Sequence, residues 1–283
     1  MNSNQNTLFL RLAGPMQSWG TSSRFQLRRT DLYPSKSGVL GMLLCAMGVR
    51  RQDSSQALKP LTPLLMGVRV DRSGTLDWDY HTAGTKIGIR RADGKGPKKT
   101  GSTGQIETLL SRRQYLYDAS FLVALQGATD TITDCVRALD KPAWPLFLGR
   151  KCCIPAEPVF VKTGSFDTLT GALSSIPWQP RIDAIDCDDN AAMRTLDVYL
   201  EHPSVSQVPT GARFVYDVPT AFGFYGYVSR WVAKDQVTVA VGKVSARPYV
   251  PRPDKPDEDA LSSRRKLDNY LCVFCKSPSA QVH

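Results

Sequence analysis

A chain of 283 residues with 42% hydrophobic and 22% charged positions can bury a sizeable core, which excludes the disordered class. Its 36 basic residues against 26 acidic ones leave a net charge of +10 and favour a polyanionic partner such as nucleic acid. The longest apolar run, GVLGMLLCAMGV, is too short to span a bilayer, the amino terminus lacks a secretory pattern, and 7 cysteines suit a reducing compartment, so a cytoplasmic protein without membrane contact is expected.

In chain order, TLFLRLAG (Thr7 to Gly14) reads as a first strand. It runs into PMQSWG, where Gln17, Trp19 and Gly20 occupy a turn followed by Arg24, Arg28 and Arg29. Two readings of Trp19 stand at this level. The ring can pack in the core, the commoner fate of so large an apolar group, or it can stack on a base among positive charges, as single-stranded nucleic acid binding requires. The segment from Lys36 to Val49 carries apolar residues at helical spacing, with Ser35 or Ser37 placed to cap it. Lys36 between the two serines makes this helix start a candidate phosphate site, because free N–H groups and the helix dipole converge there. Ordinary capping explains the serines equally well.

Pro63 to Asp71 reads as a second strand, and TLDWDYHTAG as another extended segment behind the turn DRSG. Between Gly84 and Arg113 the chain is too long for a plain hairpin loop and carries 8 basic residues against 2 acidic ones, more than half of the whole chain's surplus. Its basic residues include Arg90, Arg91, Lys95, Lys98, Lys99, Arg112 and Arg113, so a polyanion site is expected to include this projecting segment. Asp118 to Gly127 alternates Phe121, Val123 and Leu125 inward as a strand, DTITDCVRAL is a short amphipathic helix ending before Pro142, and a strand lies near Glu157 to Gly164. The order β-α-β-β-α-β is that of the ferredoxin-like or RNA-recognition-motif fold, an α+β class. In FLGRKCCIP, Gly149 turns the chain and Arg150 and Lys151 point basic groups outward. Residues 165–250 read as a smaller β-rich domain and 251–283 as a loosely packed tail, leaving 1–164 as the first domain.

Standard catalytic signatures are absent. Of the three histidines only His81, in DYHTAG, is placed to act as an acid or base on RNA, together with Tyr80 and a lysine; the alternative is a histidine that contacts a partner or satisfies a strand end. Cys272 and Cys275 form one C-x-x-C with no second pair at ligand spacing, so neither metal nor cofactor is expected.

LRLAGPMQSWG, PSKSGVLGMLLCAMGV, DYHT, YLYDASFLVAL and KPAWPLFLGRKCC together resemble, in order and spacing, the CasD subunits of type I-E CRISPR Cascade complexes, over roughly Leu8 to Val161. The resemblance implies an RNA-recognition-motif fold with a projecting β-hairpin thumb, here Gly84 to Arg113, and a small β domain. It implies a subunit that binds the 5′ handle of CRISPR RNA and caps the filament. Its neighbours would be the CasC backbone subunit and the CasA large subunit, and it would meet target DNA only through the assembled complex. Relatives in type I-C systems cut CRISPR RNA without metal, using a tyrosine with a lysine and histidine adjacent in sequence. His81 is preceded by Tyr80 instead of lysine, which favours a non-catalytic RNA binder. On this reading the RNA-binding candidates are the residues named above: Gln17, Trp19 and the three arginines after them, the helix start at Ser35 to Ser37, His81, the basic residues of the thumb, and Arg150 with Lys151.

Overall fold

The computed structural model describes residues 5–21, 26–84, 88–89, 91, 96–99, 104–106, 108–179, 192–203, 208–222 and 226–242. The sequence candidates Arg24, Arg90, Lys95, Cys272 and Cys275, and the expected tail 251–283, lie outside them. The described residues fall within one compact unit, Met1–Lys243.

The first strand, β1 (Gln5–Ala13), is followed by the short strands β2 (Met16–Gln17) and β3 (Leu27–Arg28), then by helices α1 (Lys36–Ala46) and α2 (Ser54–Leu58). Strands β4 (Leu65–Arg72), β5 (Thr75–Ala83), β6 (Leu109–Tyr117) and β7 (Ser120–Ala128) come next, then helix α3 (Thr129–Asp140), strand β8 (Phe160–Gly164) and helix α4 (Leu169–Ser174). The described chain ends in β9 (Met193–His202), β10 (Arg213–Ala221) and β11 (Gly226–Ala240). Seven strands form one antiparallel sheet in the order β10-β11-β9-β4-β7-β1-β8. A smaller sheet centres on β6, which pairs antiparallel with β2 and β5 and parallel with β3.

The near-continuous apolar run of β1 has a simple cause: both faces of its sheet are covered. Leu8, Leu10 and Leu12 pack in one core with α1 and α3, through Val39, Leu40, Leu43, Ile132 and Leu139. Phe9 points the other way, into a second core with Leu169 and Leu173 of α4 and with Val198, Val237 and Val239 of the late strands. The same holds for β7, where Leu122 and Ala124 are as buried as Phe121, Val123 and Leu125, so the expectation of a single inward face is corrected.

The expected seam at residue 164 is likewise not a domain boundary. β9 pairs with β4 through Gly67↔Leu200, Val68↔Tyr199 and Arg69↔Val198, and β11 then pairs with β9 along ten positions. The free edge of β4 has unpaired N–H and C=O groups to satisfy, and the late strands satisfy them, so they extend the first sheet instead of building another. The sheet also holds a buried polar knot: Asp71 takes Arg69 Nε at 2.6 Å and Arg11 at 3.1 Å, while Arg69 also donates to the carbonyls of Leu173 and Ile176.

Candidate nucleic-acid interface

The loop after β1 is built inward. Gln17 donates through its amide to the carbonyls of Leu12 and Ala119, at 3.0 and 2.8 Å, and its oxygen accepts the Trp19 indole N–H at 3.0 Å. The Trp19 backbone N–H donates to Thr30 Oγ1 at 2.7 Å. The ring is 1% exposed and lies on Gly38, where a Cβ would come within 2.8 Å of ring atom Cε3. Gln17 is fully buried. The expectation that Gln17 reads a base edge and Trp19 stacks on RNA is therefore corrected: every polar group of the amide side chain is spent on the protein, and the indole fills the core. Nearby, Gly149 adopts φ +96°, and a Cβ there would stand 1.8 Å from the Ser18 carbonyl oxygen, so both the backbone angle and the close approach call for glycine.

The start of α1 is also occupied. Ser35 caps it, accepting from Gly38 N–H at 3.3 Å, with Ser37 Oγ 3.3 Å from Ser35 Oγ. The anion that the helix terminus favours is the protein's own: the Lys36 backbone N–H donates to Asp217 Oδ2 at 2.7 Å. The Lys36 ammonium, 1% exposed, pairs with Glu201 at 2.7 Å. Arg230 closes the cluster with two bonds to Asp217, at 2.6 and 2.8 Å, and one to Glu201 at 3.2 Å. Burial pulls the Lys36 pKa below its ordinary value, against the opposing pull of Glu201. Burial also works against the Arg230 charge, yet Asp217 and Glu201 outweigh it and hold that guanidinium above its ordinary value. Two cations and two carboxylates balance here, so Lys36 ties the helix to the late strands and is not presented to a phosphate, which corrects that expectation. No local sequence signal could have found Asp217 or Glu201, which lie 181 and 165 residues from Lys36.

The surface candidates converge around the smaller sheet. Parallel pairing sets Leu27 opposite Arg112 and Arg28 opposite Arg113. Arg150 donates to the carbonyls of Gln114 and Arg28 at 3.0 and 3.2 Å, with its guanidinium 4.6 Å from the centre of the Tyr115 ring. Arg28, Arg29, Arg112 and Lys151 are exposed, and Arg113 and Arg150 half-buried. β5 and β6 form the hairpin, in register from Thr75↔Tyr117 to Ala83↔Leu109, so Arg112 and Arg113 stand on its second strand rather than in its connection. In that connection Arg91 N–H donates to Gly96 O, Lys98 N–H to Ile89 O, and Lys99 bridges Ile106.

His81 lies on the opposite face of the hairpin from Tyr80. Its Nε2 is 2.6 Å from Asp79 Oδ2 and 3.5 Å from the Tyr115 hydroxyl. Tyr115 is 1% exposed, and burial, with the Cys152 contact behind it and Arg150 opposing, raises its pKa. Sequence reasoning missed the ring of Trp78 as a surface group and took Tyr80 only as a companion of His81, although the alternation in TLDWDYH was the available signal: Trp78 and Tyr80 are both exposed on one face of β5. A cleft of about 810 Å³ opens elsewhere, beside Asp31, Tyr33, Tyr199 and Arg213, with Tyr33 stacked on Tyr199 at 4.0 Å. Among the described residues no helix is long and apolar enough to cross a membrane, and no group of three His, Cys, Asp or Glu is placed to hold a metal ion.

Comparison with known proteins places this architecture. Residues 7–235 match the family model described as CRISPR-associated protein (Cas_Cas5). The chain is 37% identical over 167 residues to the CRISPR system Cascade subunit CasD of Escherichia coli (strain K12), covering 55% of this chain and 70% of that one. A chain of a CRISPR RNA-guided surveillance complex superposes with a TM-score of 0.65 at 30% identity, covering 92% of this chain and 99% of that one. A structure described as a Cas protein matches with a TM-score of 0.58 at 32% identity, covering 83% and 98%. With the family model spanning most of its length and a CasD relative matched over more than two thirds of that relative, the chain belongs to the Cas5 family of CRISPR-associated proteins.

Proposed function

We propose that the chain is a non-catalytic RNA-binding subunit of a type I-E Cascade complex in the cytoplasm. It grips the 5′ handle of CRISPR RNA and caps the backbone filament, beside the CasC and CasA subunits, and meets target DNA only through them. The observation that carries this reading is the placement of Arg28, Arg112, Arg113 and Arg150 along and against β6, the second strand of a long hairpin whose connection is itself basic, in a chain related to a Cascade subunit. Phosphates need a cluster of this kind, and nothing about it requires an acid or a base. The strand order β4-β7-β1-β8, with α1 and α3 in its two crossovers, supports reading this part of the sheet as a ferredoxin-like, RNA-recognition-motif unit.

RNA cleavage is the second reading, favoured by the contact of His81 with Asp79 and Tyr115. Metal-free cleavage needs a proton acceptor and a donor that both reach the phosphate. Tyr115 is buried, and its raised pKa leaves the hydroxyl a poor acid and out of reach, so the His81 contacts supply Asp79, a proton acceptor, but no ready donor beside it. The test is incubation of the purified chain with repeat RNA, followed by reconstitution with the partner subunits. Intact RNA, carried into the complex equally by wild type and His81→Ala, is expected. Specific cutting by the wild type that His81→Ala abolishes would overturn the assignment.

A further inference from the structure

The hairpin has two unlike faces. Because side chains alternate along a strand, Leu76, Trp78, Tyr80 and Thr82 share one face with Leu110, Arg112, Gln114 and Leu116, while Asp77, Asp79 and His81 take the other. The first face is open where apolar groups are usually hidden: Trp78 is 43% exposed, Tyr80 58% and Leu110 43%. A shallow cavity of about 240 Å³ lies on it, lined by Gln26, Leu27, Tyr80, Leu110, Ser111 and Arg112. By the same alternation the two carboxylates of β5, Asp77 and Asp79, are turned away from it.

We propose that this face of the hairpin is a base-stacking platform, on which Trp78 and Tyr80 take successive unpaired bases of single-stranded RNA while Arg112, opposite Tyr80 on the neighbouring strand, neutralises the backbone. This rests on the reading of the chain as an RNA-binding subunit and assigns the bases to residues outside the basic cluster. Side chains two apart on a strand stand about 6.8 Å from one another, which presents two rings in succession. Rings flanked by a guanidinium are what a sequence-tolerant single-strand site requires. Gln26, which lines the cavity, adds a neutral donor and acceptor able to meet a base edge. A purely apolar protein partner would not explain the arginine beside the rings, whereas a polyanion with flat apolar bases matches both features.

The experiment uses the full-length chain and two probes, a short single-stranded RNA and an oligomer of the same length and backbone with abasic riboses, titrated by fluorescence anisotropy. Trp78→Ala and Tyr80→Ala should each weaken the base-bearing RNA by roughly 5- to 150-fold, the range for losing one base–aromatic stack. Both should leave the abasic oligomer unaffected, and Trp78→Phe and Tyr80→Phe should keep most of the affinity. These side chains are exposed, so the variants should melt like the wild type. Unchanged RNA affinity in the alanine variants, or equal losses for both probes, would overturn the platform alone. So would alanine variants that bind RNA normally but fail to join the partner subunits, since the face would then be a protein interface. A wild-type chain that binds neither probe would remove the RNA-binding reading together with the platform.

Discussion

Trp19 sits where a local reading of the sequence offers two opposite fates, and the tertiary context decides between them. The turn, the glycine and the arginines that follow are equally at home around a stacked base and around a buried indole. What separates the two is Gly38, whose missing side chain makes room for the ring, and Gln17, whose amide is fixed by a carbonyl 102 residues away. Neither contact leaves a mark near Trp19. We expect Trp19→Ala to lose about 3–5 kcal/mol of stability, the range for removing a large buried aromatic, as read from a urea melt. The fraction that remains folded should bind RNA like the wild type. A variant of near-normal stability with weakened RNA binding would return Trp19 to the interface. Lys36 teaches the same lesson: its capping serine was legible in the sequence, but the carboxylates that claim its backbone N–H and its ammonium were not.

Elements with strong periodicity or punctuation were legible. The first strand, both core helices and the β4, β7 and β8 strands lie within a few residues of where apolar spacing put them, because each is committed by its own side chains. The basic segment from 84 to 113 was recognised by its length and charge, yet its pairing begins earlier, at Thr75, since the alternation of TLDWDYH already favours a strand. Charge on such a connection acts on the partner rather than on the fold. Replacing Lys95, Lys98 and Lys99 by glutamate should therefore flatten the slope of log affinity against log salt by up to about 2, at roughly 0.7 per single-strand phosphate contact. Stability should change by no more than ~0.5 kcal/mol. An unchanged salt slope, with normal assembly alongside the partner subunits, would show that these lysines only solvate the surface.

At the scale of the whole molecule the late strands are part of the first fold, and this was the least legible feature. A sequence shows that β9, β10 and β11 are strands, but the partner they choose depends on which edge is left open far upstream. Three features of the structure now bind the two halves. β9 completes the β4 edge, α4 and the late strands cover Phe9, Leu122 and Ala124, and Glu201, Asp217 and Arg230 enclose Lys36. A chain ending at residue 164 would expose one whole apolar face of the sheet and leave Arg69 without the Leu173 and Ile176 carbonyls. Buried polar groups stripped of their partners cost about 1–3 kcal/mol each, before the loss of apolar burial is counted. Marginal stability of roughly 5–15 kcal/mol does not survive that sum. We expect the 1–164 fragment to show no cooperative thermal transition and to bind a hydrophobic dye, while a chain ending at Lys243 unfolds in a single transition, both followed by circular dichroism. A sharp, dye-free melt of the shorter fragment would mean that the first four strands of the α-β pattern form a domain of their own, and that β9, β10 and β11 are an addition the fold can do without.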